Sequence, residues 1–95
     1  MSLFTVHYTY AETTIAGRDE HRPAHRDWLR SLLDQGTVVS AGAYEDGTGA
    51  LILIEGTDTD SVRSLLDADP FVVEDLVDEI RVQRWQPALG AFSQS

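Results

Sequence analysis

Residues Ala50 to Ile54 form an unbroken apolar run, and no other stretch of the 95-residue chain constrains the fold more. Successive side chains of a strand point to opposite faces. Ala50, Ile52 and Ile54 therefore point one way and Leu51 and Leu53 the other, so both faces of this strand want burial. Such a strand belongs in the middle of a sheet. It is too short to cross a bilayer, which takes roughly 20 apolar residues.

The segments around it read as one alternating series. Leu3 to Tyr10 carries Phe4, Val6, Tyr8 and Tyr10 on one parity, which suits a first strand. Ala11 to Arg18 reads as a loop. Asp19 to Gln35 reads as a helix, with Asp19 or Arg22 at its start because Pro23 suits a first-turn position. Ala24, Trp28, Leu29, Leu32 and Leu33 recur at helical spacing, Arg22, Arg26 and Arg30 line another face, and Gly36 is the stop. Thr37 to Tyr44 and Gly49 to Gly56 are two strands around Glu45-Asp46-Gly47-Thr48, where the Asp-Gly pair signals a hairpin. Thr57 or Thr59 caps a second helix carrying Val62, Leu65 and Leu66. Asp69-Pro70 breaks it, because the residue before proline avoids helical angles. Phe71 to Val77 adds a helical turn or two, Ile80 to Trp85 is the last strand, and Pro87 to Ser95 is a partly mobile tail. Residues 1–87 are thus one domain and 88–95 a tail.

The order βαββαβ is the ferredoxin-like α+β pattern, a four-stranded antiparallel sheet with two main helices on one face. The first and third strands are expected at its centre and parallel. Each helix would run against them, so the two helices are expected to be parallel as well. The other sheet face then lies open with apolar residues on it, which marks an interface. A homodimer with two sheets meeting face to face is the expected partner arrangement. A single core of this size gives modest stability on its own, which points the same way.

Charge narrows the function. The chain has 16 Asp plus Glu against 7 Lys plus Arg, all of the latter arginine, for a net charge of −9. Phosphate backbones and anionic membrane surfaces call for clustered cations, so neither nucleic acid nor membrane is an expected partner. The acidic surface reads as solubility. With no cysteine there is no disulfide, thiolate or Cys-based zinc chemistry. Met1-Ser2-Leu3-Phe4 lacks the basic and apolar regions of a signal peptide, which gives a cytoplasmic expectation.

Phosphate-cradling, nucleophile-elbow and dinucleotide motifs are missing, which leaves the histidines. Trp28, Leu29, Leu32 and Leu33 stand three, four, seven and eight residues after His25, which puts it on the sheet-facing stripe of the first helix. Within the first turns of that helix, dipole and burial both favour the neutral imidazole, a suitable general base. The alternative is a core histidine satisfied by backbone. His21 and His25 form an H-x-x-x-H pair, but Arg22 stands where a zinc-protease motif has Glu, and no metal site is expected. His7 shares a strand face with Leu3, Thr5 and Thr9 and is expected at the dimer interface. Asp69 suits a turn or helix end, and a functional role requires it near a histidine.

With these residues in place, the chain resembles the YCII-related (YciI-like) family from about Phe4 to Trp85. The matching pieces are Arg22-Pro23-Ala24-His25 before a Leu-rich helix, Gly36, Ala41-Gly42, Gly49 before an apolar strand, and Asp69-Pro70-Phe71. The chain departs from the pattern in its short Gly42 to Gly49 connection and its Arg84-Trp85-Gln86-Pro87 ending. The resemblance implies a ferredoxin-like homodimer, a dimeric α/β barrel, and a His–Asp acid/base pair mapping to His25 and Asp69. It implies an activity of lyase (dehydrochlorinase-like) or isomerase type on a small cyclic or phenolic metabolite, with no cofactor. Trp28, Phe4, Tyr8 and Phe71 would wall the site, Arg22 would hold an anionic oxygen, and Ser40 would line the same cavity. A non-catalytic binding or structural dimer is the alternative. Parallel helices raise a problem of reach: His25 near one helix start and Asp69 near the other helix end would be about 15 Å apart over ten residues.

Overall fold

A computed structural model describes residues 1–93. The strands are β1 (Ser2–Thr9), β2 (Val38–Ala43), β3 (Gly49–Gly56) and β4 (Glu79–Trp85). The helices are α1 (Ile15–Asp34), α2 (Thr59–Leu66) and the single turn α3 (Pro70–Val73). The sheet order is β2-β3-β1-β4, and every neighbouring pair is antiparallel. The strand built on the apolar run is central, as its two buried faces require, between β2 and β1.

The expectation that β1 and β3 run parallel is corrected. They are hydrogen-bonded neighbours in antiparallel register, with Phe4 opposite Ile54 and Tyr8 opposite Ala50. The two halves of the chain thus run in opposite senses. α1 carries the chain back against β1, and α2 carries it back against β3. The helices are therefore antiparallel, and the end of α2 comes to the same edge of the sheet as the earlier part of α1. This removes the problem of reach between His25 and Asp69.

Two helix starts also differ from expectation. α1 begins at Ile15, inside the segment read as a loop, after a 3-10 turn at Glu12–Thr14. Thr14 at its N-cap makes no side-chain cap. Arg18, buried one turn inside the helix, instead ties the preceding turn to it: its guanidinium donates to the Ala11 carbonyl and the Thr14 hydroxyl. Its guanidinium also lies 4.3 Å from the centre of the Tyr10 ring. Pro23 consequently sits in the helix interior, not in its first turn. α2 is capped by Asp58, not Thr57 or Thr59: its carboxylate accepts from the Ser61 N–H at 2.8 Å and Ser61 answers in a capping box. As expected, the Asp69-Pro70 pair separates α2 from α3.

The core lies between the sheet and the helices. Phe4, Val6 and Tyr8 of β1 and Ala50, Ile52 and Ile54 of β3 meet Leu32 of α1 and Val62 and Leu66 of α2. The opposite face carries Thr5, His7, Ser40, Leu51 and Leu53, and the ring of His7 lies 5.3 Å from that of Tyr44. Beyond β4 the chain turns back, with the Phe92 ring 6.3 Å from Trp85. The last two residues of the expected tail, 94 and 95, lie outside the described residues.

Candidate active site

The Asp-Pro pair that ends the second helix also builds the site. Proline at the first position of α3 fixes the chain direction, and Asp69 takes the N-cap with an extended backbone (φ −64°, ψ 124°). Its Oδ1 accepts from the Phe71 N–H at 3.0 Å, which is the ordinary capping bond. This carboxylate is nevertheless completely buried, so the cap alone does not satisfy it. Tyr8 Oη donates to Oδ2 at 2.7 Å, and His25 Nδ1 lies 2.7 Å from Oδ1. One carboxylate thus ties together β1, α1 and α3.

The tautomer of His25 follows from this geometry. A carboxylate that already receives an N–H and an O–H can only accept from a third partner, so the imidazole proton sits on Nδ1. In the neutral ring Nε2 then carries the lone pair. Burial first, and the neighbouring Asp69 charge second, push the Tyr8 phenol far above its ordinary range, so it remains a donor. The Phe71 ring stacks on His25 with centroids 3.9 Å apart and planes 3° from parallel. The Trp28 ring lies 6.4 Å away on the same helix. His25 falls in the middle of α1, because the helix starts earlier than expected, so the N-terminal dipole does not act on it.

His25 opens onto a cavity of about 440 Å³ between α1 and the β2–β3 half of the sheet. Its floor is apolar, from Val38, Ala41, Ala50 and Ile52, and Leu29 and Phe71 close the sides. Arg22, Arg26 and Arg30 form a row along its α1 side, and Tyr10 stands at the His25 end. Burial and then the Asp69 charge push the Tyr10 phenol up to about 12, against a smaller lowering by Arg18 and Arg22.

Of the expected site residues, His25, Phe71 and Arg22 line this cavity, and Asp69 supports it from behind. Arg22 is engaged by Asp19 at 2.6 Å. Tyr8 and Phe4 are not walls of the cavity: Tyr8 is buried behind Asp69, and Phe4 lies in the core. Trp28 packs against the core and does not line the cavity. Ser40 does not belong to the site. Its register with Leu53 puts it on the other face of the sheet, because a strand side chain has only two directions. Arg26, Arg30, Leu29 and Tyr10 were not expected there. Their signal is the spacing of three arginines beside His25 and the Tyr10 parity shared with Tyr8. His21 faces Glu74 at 3.5 Å while His25 is committed to Asp69, and among the described residues no group of three His, Asp or Glu is placed to hold a metal ion.

A profile of the YCII-related domain matches residues 2–86. The chain belongs to the YCII-related domain family. Among solved structures, this YCII-related chain is similar to 5-chloro-2-hydroxyhydroquinone dehydrochlorinase from Burkholderia phenoliruptrix AC1100 in complex with 2,5-dihydroxybenzoquinone, at 24% identity and a TM-score of 0.78 over 88% of this chain and 93% of that one. It is also similar to a putative antibiotic biosynthesis monooxygenase from Bacteriodes thetaiotaomicron VPI-5482, at 14% identity and a TM-score of 0.62 over 99% of this chain and 95% of that one. At these identities the likeness establishes a shared fold. No curated protein matches the sequence. No helix among the described residues is long and apolar enough to cross a membrane.

The raised phenols give the family fold here a specific alkaline signature. Below pH 10 Tyr8 and Tyr10 hold their protons in both folded and unfolded chains. Between pH 10 and about 12 the unfolded chain loses them while the folded chain keeps them, so stability falls as pH rises. The chain has no lysine or cysteine to titrate in the same window. Urea unfolding between pH 9 and 11.5 is expected to show this fall, and Tyr8→Phe to reduce it. A flat profile in the wild-type chain contradicts the assignment.

Proposed function

We propose that this YCII-related protein is an acid/base enzyme of lyase or isomerase type acting on a small cyclic or phenolic compound. The observation that carries the proposal is the 2.7 Å contact between His25 Nδ1 and the fully buried Asp69, on a ring that lines a cavity. In this reading Nε2 removes a proton from the substrate. Asp69 fixes the ring and stabilises the imidazolium that forms, and the imidazolium returns the proton or passes it to solvent as the substrate's leaving group departs. Tyr8 holds Asp69 in place. Phe71 keeps the imidazole in one plane by stacking and gives a ring-shaped substrate an apolar side. The apolar floor and the size of the cavity suit a single ring. The dehydrochlorinase that shares the fold is named for a substrate of that class, which supports the choice of ring compound.

The same proposal includes a cytoplasmic homodimer, with residues 1–87 as the domain and the sheet face opposite the helices as the interface. That face carries the half-buried Leu51, with Tyr44 and Trp85 each 38% exposed. An apolar face of this kind is expected to be covered. Gel filtration at micromolar concentration should give twice the 10.5 kDa chain mass, and Leu51→Asp should shift the protein to a monomer. A wild-type monomer under those conditions contradicts the interface.

Catalysis is tested with hydroxylated and halogenated hydroquinones as candidate substrates. His25→Ala is expected to lower kcat by about 10²–10⁴-fold, the usual contribution of a positioned base. Asp69→Asn should lower it by up to about 10⁴-fold through loss of ring orientation and tautomer, with the fold checked by circular dichroism. Full turnover in folded His25→Ala overturns the mechanism.

A further inference from the structure

The cavity has an electrostatic character opposite to that of the chain. The protein carries 16 acidic residues and a net charge of −9, yet none of the residues lining this cavity is acidic and three are arginines. Arg22, Arg26 and Arg30 are spaced four apart on α1, so they stack along one side of the helix about 6 Å per step. They are not equivalent. Arg22 donates to Asp19 at 2.6 Å, and Arg30 donates to Asp27 at 3.1 Å. Arg26, between them, has no hydrogen-bond or ion-pair partner among the described residues. It follows His25 directly in sequence and shares the cavity with it.

We infer that Arg26 is a specificity-determining residue that binds an anionic substituent, a carboxylate carried on the substrate ring. The inference rests on the His25 reading for the position of the ring and adds the class of substrate. A guanidinium presents paired N–H donors that match the two oxygens of a carboxylate, and it stays charged throughout the working pH range. With its neighbours already paired, Arg26 keeps its donors for a ligand. Arg22 and Arg30 hold their carboxylates on the solvent side of the helix and add positive potential along the row. The apolar floor at Val38 and Ile52 takes the ring, with His25 at one end and the carboxylate at the arginine side. A neutral ring of the same size would leave Arg26 without a partner and gain only the apolar contact.

The test compares 2,5-dihydroxybenzoate with hydroquinone, which has the same ring and hydroxyls without the carboxylate. Binding is measured by calorimetry on the wild-type protein, Arg26→Gln and His25→Asn at low salt. The carboxylate is expected to bind the wild type at least about tenfold more tightly, as a charge-assisted hydrogen bond gives. That preference should narrow with added salt, fall to within about threefold in Arg26→Gln, and persist in His25→Asn. Arg26 is exposed, so its replacement leaves the packing in place. Equal binding of the two probes, no binding of either at millimolar concentration, or an undiminished preference in Arg26→Gln overturns the inference. The His25 mechanism is judged separately by turnover. Loss of turnover in His25→Ala without a carboxylate preference removes only the Arg26 role, and a carboxylate preference with full turnover in His25→Ala removes only the mechanism.

Discussion

The structure around the cavity depends on satisfying one buried carboxylate. Asp69 is fully buried, and a carboxylate removed from water without donors is unstable in its charged form. Three donors converge on it from separate parts of the chain: the Tyr8 hydroxyl from the central strand, the Phe71 N–H from the helical turn that Asp69 itself caps, and His25 Nδ1 from the long helix. Removing the carboxylate leaves these groups unpaired inside the protein, at about 1–3 kcal/mol for each one stranded. The same bonds that make Asp69 tolerable in the interior therefore hold the imidazole still. The helix cap and the partner of the imidazole are one side chain.

Topology makes that convergence possible. Because β1 and β3 are antiparallel neighbours, the two crossover helices run in opposite directions and the end of α2 returns to the flank of α1. Pro70 then stops the helix with Asp69 facing inward. Had the helices been parallel, the two residues would have stood at opposite ends of the layer. His25 lines a cavity against the half of the sheet formed by β2 and β3, where Ala41 and Ala50 are small. The YCII-related fold thus supplies an apolar floor, and the long helix supplies the imidazole and a row of arginines.

Much of this is legible in the residues, and the gaps have physical causes. The apolar run at 50–54, the alternation of β1 and the Asp-Gly hairpin give the strands with only small errors in their ends, because strand parity and turn chemistry are local, whereas the direction of β1 against β3 follows from the number of chain reversals between them. The start of α1 is not legible locally. It depends on Arg18 folding back onto the Ala11 carbonyl and the Tyr10 ring, a contact made only in the folded chain, while Pro23 points to a later start. Asp58 is not separable by sequence from the threonines on either side of it, because Asp and Thr both cap helices well. His25 and Asp69 are marked as a pair by the family resemblance and not by spacing, since 44 residues separate them. Tyr8 faces the correct layer by parity, but its role behind Asp69 depends on depth in the core, which parity does not report. The side of Ser40 does not follow from parity, because the irregular register between Val38 and Ser40 changes which residues of β2 face the helices.

The central claim is that Asp69 holds the His25 ring with its proton on Nδ1 and its lone pair on Nε2. Nitrogen-15 chemical shifts of the imidazole, read from long-range proton–nitrogen correlations in the neutral ring, measure this directly. The account predicts a protonated Nδ1 and an unprotonated Nε2 in the wild-type protein, and loss of that preference in Asp69→Asn. A wild-type ring protonated on Nε2, or one exchanging equally between the two tautomers, would contradict it.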